Sequence, residues 1–392
     1  MKLTCRHTLA ACFIGCMVQA ILNNFLPLLF LTFQGTYGIP LSQITALVTV
    51  NFAVQLLVDM LSIGFVDKIG YRASMLIAHV CAALGFLGLV VLPEVMPCPF
   101  AGLLISVIVY AVGGGLLEVV VTPLVEACPT DNKEKAMSLL HSFYCWGHVA
   151  VVLFSTVFFS LFGIRNWKIL ALIWMLMPIA NTFLFAKTPI VPLIAEGERG
   201  MSLKELFSRR IFWILLLMMV CAGAAEQAVS QWASTLAEKG LGVSKTLGDL
   251  AGPMTFAIAM GCSRAFYGKF GDRLDLDKFM AGSIFLCVLS YLMIALVPNP
   301  AVNLIGCSVC GLAVGILWPG TVCKAAAAMP LGGTTMFALL ALGGDLGCSG
   351  GPAFAGMAAA ALGEDIQKGV LCAVVFPLLL LLLLPMLKKA RR

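Results

Sequence analysis

The amino-acid sequence predicts an all-α membrane protein: twelve transmembrane helices arranged as two pseudo-symmetric six-helix bundles. Three observations predict it. Of the 392 residues, 61% are hydrophobic and only 11% are charged, against about 25% charged in an ordinary soluble domain. The apolar residues run in long stretches instead of amphipathic stripes, so lipid is the solvent over most of each segment. Lysine and arginine gather in alternate loops, and a polar stretch in mid-chain separates two halves that echo one another.

The spans fall near residues 8–33, 42–65, 73–93, 100–125, 136–163, 167–186, 211–237, 246–268, 279–297, 301–328, 333–360 and 366–387. The first opens on Leu9-Ala10-Ala11-Cys12, which resembles a lipoprotein cleavage box. Arg6 and His7 stand just before that box and the apolar run comes after it, the wrong order for a signal peptide. The segment therefore reads as the first transmembrane helix.

Orientation follows from the cations, because loops rich in them stay cytoplasmic. With Lys2 and Arg6 inside, only Arg165, Lys168, Lys239, Lys245 and Lys368 of the 25 Lys and Arg fall outside. Both termini are expected in the cytoplasm and the protein in the plasma (inner) membrane. The net charge of +6 then belongs to loops and tail, and no nucleic acid is expected as a partner. The expected partners are the lipid bilayer and a small-molecule substrate, and the chain is expected to be a monomer. Most of the 15 cysteines lie in apolar spans, where Cys acts as a small hydrophobe, so disulfides are not expected. Cys307 and Cys310 lack a second pair or a His cluster, and no metal is expected.

The polar stretch from Lys187 to Arg210 sets the domains: an N-terminal bundle at 1–186, a cytoplasmic linker at 187–210, and a C-terminal bundle at 211–392 ending in a short basic tail. Within the linker, Ser202-Leu-Lys-Glu205 fits a capping box that opens a short helix.

Gly64-Phe-Val-Asp67-Lys68-Ile-Gly70-Tyr-Arg72 joins spans two and three, and Gly268-Lys-Phe-Gly-Asp272-Arg273 joins spans eight and nine. Asp67 and Asp272 lie 205 positions apart, as do Pro93 and Pro298. These segments resemble the G-x-x-x-D-[RK]-x-G-x-[RK]-[RK] signature of the major facilitator superfamily. The first copy has Ile63 where the glycine is expected, and the second reads Leu-Asp-Leu-Asp-Lys after Arg273. The resemblance implies a major facilitator fold over almost the whole chain. Physically, Gly64 and Gly268 permit close helix approach, while Asp67, Lys68, Arg72, Asp272 and Arg273 make a charge cluster suited to gating.

Polar side chains at membrane depth usually face a bundle interior or an aqueous cavity. Span one carries Gln19, Asn23 and Asn24; span two carries Asn51, Gln55 and Asp59, with Asp59 read as a gating partner near the charge motif. Residues spaced i,i+4 share a face. In span four Glu118 follows Gly113-Gly114-Gly115 with no cation nearby in sequence, and it is the foremost candidate to load and release a proton. His141 and Tyr144 share a face of span five with Cys145 and His148. His141 and Tyr144 are candidate substrate contacts, whereas His148 reads equally well as core.

Gly115-Leu-Leu-Glu118-Val-Val-Val-Thr122-Pro123 and Leu140-His141-Ser142-Phe143 with Gly147 resemble the G-x-L-E-x-x-x-N-P and A-Q-[ST]-F…G segments of the fucose-galactose-glucose:proton symporter family. That resemblance implies a part for Glu118 in sugar and proton binding. Thr122 replaces that family's asparagine and His141 its glutamine.

In the second half, Glu226, Gln227, Gln231 and Trp232 cluster in span seven, Trp318 stands in span ten and Asp345 in span eleven. Amides beside flat rings suit a sugar, so Gln227, Gln231, Trp232 and Trp318 are candidate substrate contacts. Glu226 and Asp345 are further proton-coupling candidates. The expected function is proton-coupled symport of a small polar solute such as a monosaccharide by alternating access. An ion gradient drives it, with no cofactor and no enzymatic step. The alternative is proton-antiport efflux of drugs or metabolites, which the Asn and Gln clusters disfavour. No G-x-x-x-x-G-K-[ST] loop is present, which argues against ATP-driven transport.

Overall fold

The computed structural model describes residues 3–194, 198–233, 236, 250–363 and 365–390. Ten helical stretches among them are long and apolar enough to cross a membrane. Two shorter ones stand between them where the second and eighth spans are expected, bringing the number to twelve: Leu41–Ser62 (α3), apolar over Ala46–Ser62, and Thr255–Phe270 (α11).

The first span is Cys5–Phe25 (α1), continued by a 3-10 turn at Leu26–Leu29 and by Phe30–Tyr37 (α2). It therefore outruns the expected 8–33, and the tighter turn lies at Pro27, whose ring cannot support a preceding helical bond. After α3 come Val66–Ile69 (α4), Tyr71–Val95 (α5), Pro99–Ala127 (α6), Lys133–Phe162 (α7) and Trp167–Lys187 (α8). Leu203–Ser208 (α9) is the short linker helix, and its capping box forms as expected, with the Glu205 amide donating to Ser202 Oγ.

Arg210–Ser230 (α10) begins the second half; a π-helical turn at Leu250–Met254 leads into α11. Leu276–Leu296 (α12) is capped by Asp275, which accepts from the Lys278 amide at 2.9 Å. Pro300–Val314 (α13) starts on a proline behind an Asn299 cap, the arrangement that wastes no amide donor. The span expected at 301–328 is broken at Gly315 and Ile316, and Leu317–Ala328 (α14) completes it. Gly333–Ala361 (α15), Ile366–Ala373 (α16) and Val375–Ala390 (α17) finish the chain. The expected end of span seven, the start of span eight, Lys239, Lys245 and the linker's Glu196 lie outside the described residues.

Two compact units emerge. One comprises Met1–Pro129 with Phe143–Glu198, the other Thr130–Ser142 with Arg199–Arg392. In the first, α1, α3 and α5 all pack on α6, and α1 and α5 on α8; in the second, α10, α11 and α12 pack on α13, and α10 and α12 on α17. The first three spans thus meet the fourth in each unit, the internal echo of the sequence made structural.

Small residues set the approach. A Cβ on Gly113 of α6 would sit 2.5 Å from the Ala78 carbonyl oxygen of α5. On α15, Gly347 and Gly351 lie against the Val220 and Ala224 carbonyls of α10, two steps of one ladder four residues apart. His79 of α5 is fully buried, its Nδ1 2.7 Å from the Met75 carbonyl and its Nε2 2.8 Å from the Asn181 amide of α8. Asn181 also donates to the Ala11 carbonyl, so this polar knot ties α1, α5 and α8 together. The outward faces are oil: Leu161 is 72% exposed and Phe183 66%, as lipid-facing side chains should be.

Candidate functional site

Two helices of the first unit bring polar residues one turn apart to its site, and α6 and α7 complete it. Gln19 and Asn23 project from one face of α1, and Asn51, Gln55 and Asp59 from one face of α3. The glycine run of α6 lets α3 approach: a Cβ on Gly114 would lie 3.1 Å from Gln55 Cδ, and one on Gly115 would lie 3.1 Å from the Gln55 carbonyl. Glu118 follows one turn later on α6. Gln19 Nε2 donates to Glu118 Oε2 at 2.7 Å.

The amides form a second cluster. Asn23 Oδ1 accepts from Gln55 Nε2 at 2.7 Å and from Asn51 Nδ2 at 3.1 Å, while Asn23 Nδ2 reaches the Tyr144 hydroxyl at 3.3 Å. Gln55 Nε2 also donates to Asn51 Oδ1 at 2.9 Å. Asn51 and Gln55 are buried, and Asn23, Tyr144 and Glu118 are half-buried. The arrangement offers amide donors and acceptors beside a carboxyl, the groups a polyhydroxylated ligand needs.

Several expected members lie elsewhere. Asn24 donates to the Ala20 carbonyl of its own helix at 2.8 Å, one turn back, and takes no part in the cluster. Asp59 is fully buried, and its carboxylate lies within 4.8 Å of that of Glu118, beside the coupling candidate as well as at the end of α3 that leads to the motif. His141 falls in the part of α7 that belongs to the second unit, whereas Tyr144 belongs to the first. The face they share in sequence is therefore divided between the units.

The two motif copies behave differently. In the first, Gly64 does not serve close helix approach, because a Cβ there would meet nothing within 4 Å; Gly64 and Gly70 instead have φ of +84° and +81°, a left-handed backbone that glycine adopts without a side-chain penalty. Asp67 and Lys68 are exposed on α4. Arg72 points away from them: it donates to the carbonyls of Phe185 at 2.7 Å, Ala186 at 2.9 Å and Thr188 at 2.8 Å. Its cation thus caps the carbonyl end of α8. In the second copy, Gly268 packs on Leu139 and Asp272 ion-pairs with Lys135, with Asn132 donating to Asp272 at 3.0 Å. The Lys135 hydrogen bond holds the Asp272 carboxyl below its ordinary range, as the Ser202 backbone does for Glu205. Arg273 is exposed.

In the second unit, Glu226 of α10 pairs with Arg264 of α11 at 3.2 Å, and Gln227 donates to Glu226 at 3.3 Å. Gln231 is exposed and stands apart from this group. Trp232 donates from Nε1 to the Pro352 carbonyl at 3.2 Å. The Trp318 ring rests on Gly344, where any Cβ would collide with it, and half-buried Asp345 is the next residue of α15. Arg264 and Lys324 were counted in sequence as topological cations. Both are 4% exposed, Arg264 paired with Glu226 and Lys324 with Asp277. The signal was their position inside apolar spans, where charge is costly.

Two bundles of packed apolar helices with buried amides and carboxyls define an integral-membrane transporter, not an enzyme. The sequence matches the Major Facilitator Superfamily over residues 9–352, and the chain belongs to that superfamily. Its fold is similar to that of the E. coli fucose:proton symporter, with a TM-score of 0.79 and 16% identity over 97% of this chain and 98% of the other. It is also similar to a proton:xylose symporter, with a TM-score of 0.79 and 12% identity over 98% and 95% of the two chains. A human organic anion transporter aligns with a TM-score of 0.76 and 16% identity over 97% and 99%. No curated protein matches the sequence.

Proposed function

We propose that this transporter is a proton-coupled symporter of a small polar solute, a monosaccharide first among them, working by alternating access. The observation that carries the reading is the cluster of Asn23, Asn51, Gln55 and Tyr144 beside the Gln19–Glu118 hydrogen bond. Sugar hydroxyls both donate and accept, and amides answer both roles, whereas a lipophilic cation would call for acids and rings. Glu118 carries the proton, with Glu226 and Asp345 as the carboxyls of the second unit. The similarity to two structures described as sugar:proton symporters supports the same reading.

The proton gradient replaces any cofactor, and the chain works as a monomer. The cation asymmetry supports both termini in the cytoplasm, and the plasma membrane is the proposed location. Purified protein in liposomes, given an inward proton gradient and labelled hexoses, should concentrate at least one of them, and a protonophore should abolish this. Failure to concentrate any hexose of a broad panel would refute the reading.

A further inference from the structure

Arg264 is held by backbone carbonyls as well as by a carboxylate. Its Nε donates to the Gly315 carbonyl at 2.9 Å and its Nη1 to the His141 carbonyl at 3.1 Å. One carbonyl lies at the break between α13 and α14 and the other on α7, so the guanidinium plane is fixed from two sides. Its contact with Glu226 is a 3.2 Å bond from Nη2, longer than the roughly 2.7–2.9 Å of a good charge-assisted pair. Glu226 is also the more accessible partner, its side chain 13% exposed against 5% for Arg264. Buried ion pairs are often no more stabilising than apolar side chains of the same volume, so a cation at membrane depth points to a use.

We propose that Arg264 binds the carboxylate of a small organic anion, and that Glu226 is the resident carboxylate this ligand displaces. Glu226 takes up one proton and leaves the guanidinium as a neutral acid. The ligand brings one negative charge and takes two N–H bonds in a planar fork, so the charge at Arg264 is unchanged. The groups facing Glu226 are Arg264 from α11, the Cys310 thiol from α13 and Gln227 of its own helix. Tyr291 of α12 donates to the Ala225 carbonyl, and Lys324 of α14 pairs with Asp277. On α15, Asp345 follows Gly344, which packs on Gly223 one turn before Glu226; the charged residues of α17 are Lys388 and Lys389 in its last turn. The inference goes beyond the sugar reading, because its ligand is defined by charge and not by hydroxyls.

Calorimetric titration of the full-length protein with glucuronate and with glucose tests it. Wild type should bind glucuronate up to about a hundredfold more tightly at about pH 5.5 than at about pH 7.5, because uptake of one proton changes the affinity about tenfold per pH unit. Glu226→Gln should make that affinity independent of pH. Arg264→Gln combined with Glu226→Gln removes the charges as a pair, and should weaken glucuronate about tenfold or more. If that double variant does not fold, the wild-type pH pair and Glu226→Gln still decide. Undiminished glucuronate binding in the folded double variant, pH-independent binding in wild type, or no glucuronate binding by wild type would each overturn the proposal. Glucose binding without glucuronate binding would do so while leaving the sugar reading intact, and the converse result would spare only the anion site.

Discussion

Gln19 of α1 and Glu118 of α6 are joined by one 2.7 Å hydrogen bond from Nε2 to Oε2. If Glu118 carries the coupled proton, Glu118→Gln keeps a hydrogen-bonding group of the same shape but cannot titrate. Proton-driven accumulation should be lost, while exchange of labelled for unlabelled solute persists. Transport assays in liposomes with and without a pH gradient separate the two, and an unchanged gradient response would remove Glu118 from the mechanism.

Asn23 offers one oxygen to two amides, whereas its neighbour Asn24 serves only its own helix. Asn23→Leu should therefore raise KM about tenfold or more, since unsatisfied buried amides cost roughly 1–3 kcal/mol. Asn24→Leu should change KM little. Equal effects in a kinetic comparison would show that the shared acceptor does not organise the site.

How much of this was legible in the sequence depends on what each inference required. Helical period alone placed Gln19 with Asn23, and Asn51 with Gln55 and Asp59, because spacing fixes a face. It could not say that Gln19 would turn to Glu118 while Asn23 turned to Gln55. That depends on the rotation and depth of each helix, which packing sets across residues far apart in sequence. Arg264 was misread for a different reason: counting cations treats every one as a loop marker, and only the fold reveals Glu226 opposite it. Arg72 likewise belonged to a recognisable motif, yet its partners are carbonyls, which carry no sequence signature.

Gly351 and Gly350 are adjacent but opposite in environment. A Cβ on Gly351 would lie 2.5 Å from the Ala224 carbonyl oxygen, whereas one on Gly350 meets nothing within 4 Å. Gly351→Leu should lower the melting temperature sharply or prevent folding, overpacking of a tight contact costing about 1–3 kcal/mol or more. Gly350→Leu should be tolerated. Comparable losses of monodisperse protein for both would contradict the ladder between α10 and α15.

Lys135 holds the Asp272 carboxyl below its ordinary range. A depressed carboxylate adds stability that is fully present above the unfolded value, near pH 4, and is lost as pH falls through the lower folded value. Wild type should therefore lose more melting temperature than Asp272→Asn on going from about pH 5 to about pH 3. Parallel losses would mean that the pair contributes nothing in solution.

The second motif's acid draws its partner from a lysine 137 positions earlier, before the polar linker in the chain, whereas the first copy's Arg72 closes on α8, in its own half. The two copies of the motif thus depend on different parts of the chain. A polypeptide made by translating the second half alone would carry Asp272 without Lys135, while the first half alone would retain the Phe185 and Ala186 carbonyls that hold Arg72. Separate expression of the halves would therefore leave the second motif's acid without its cation and the first motif's arginine still seated on its own bundle.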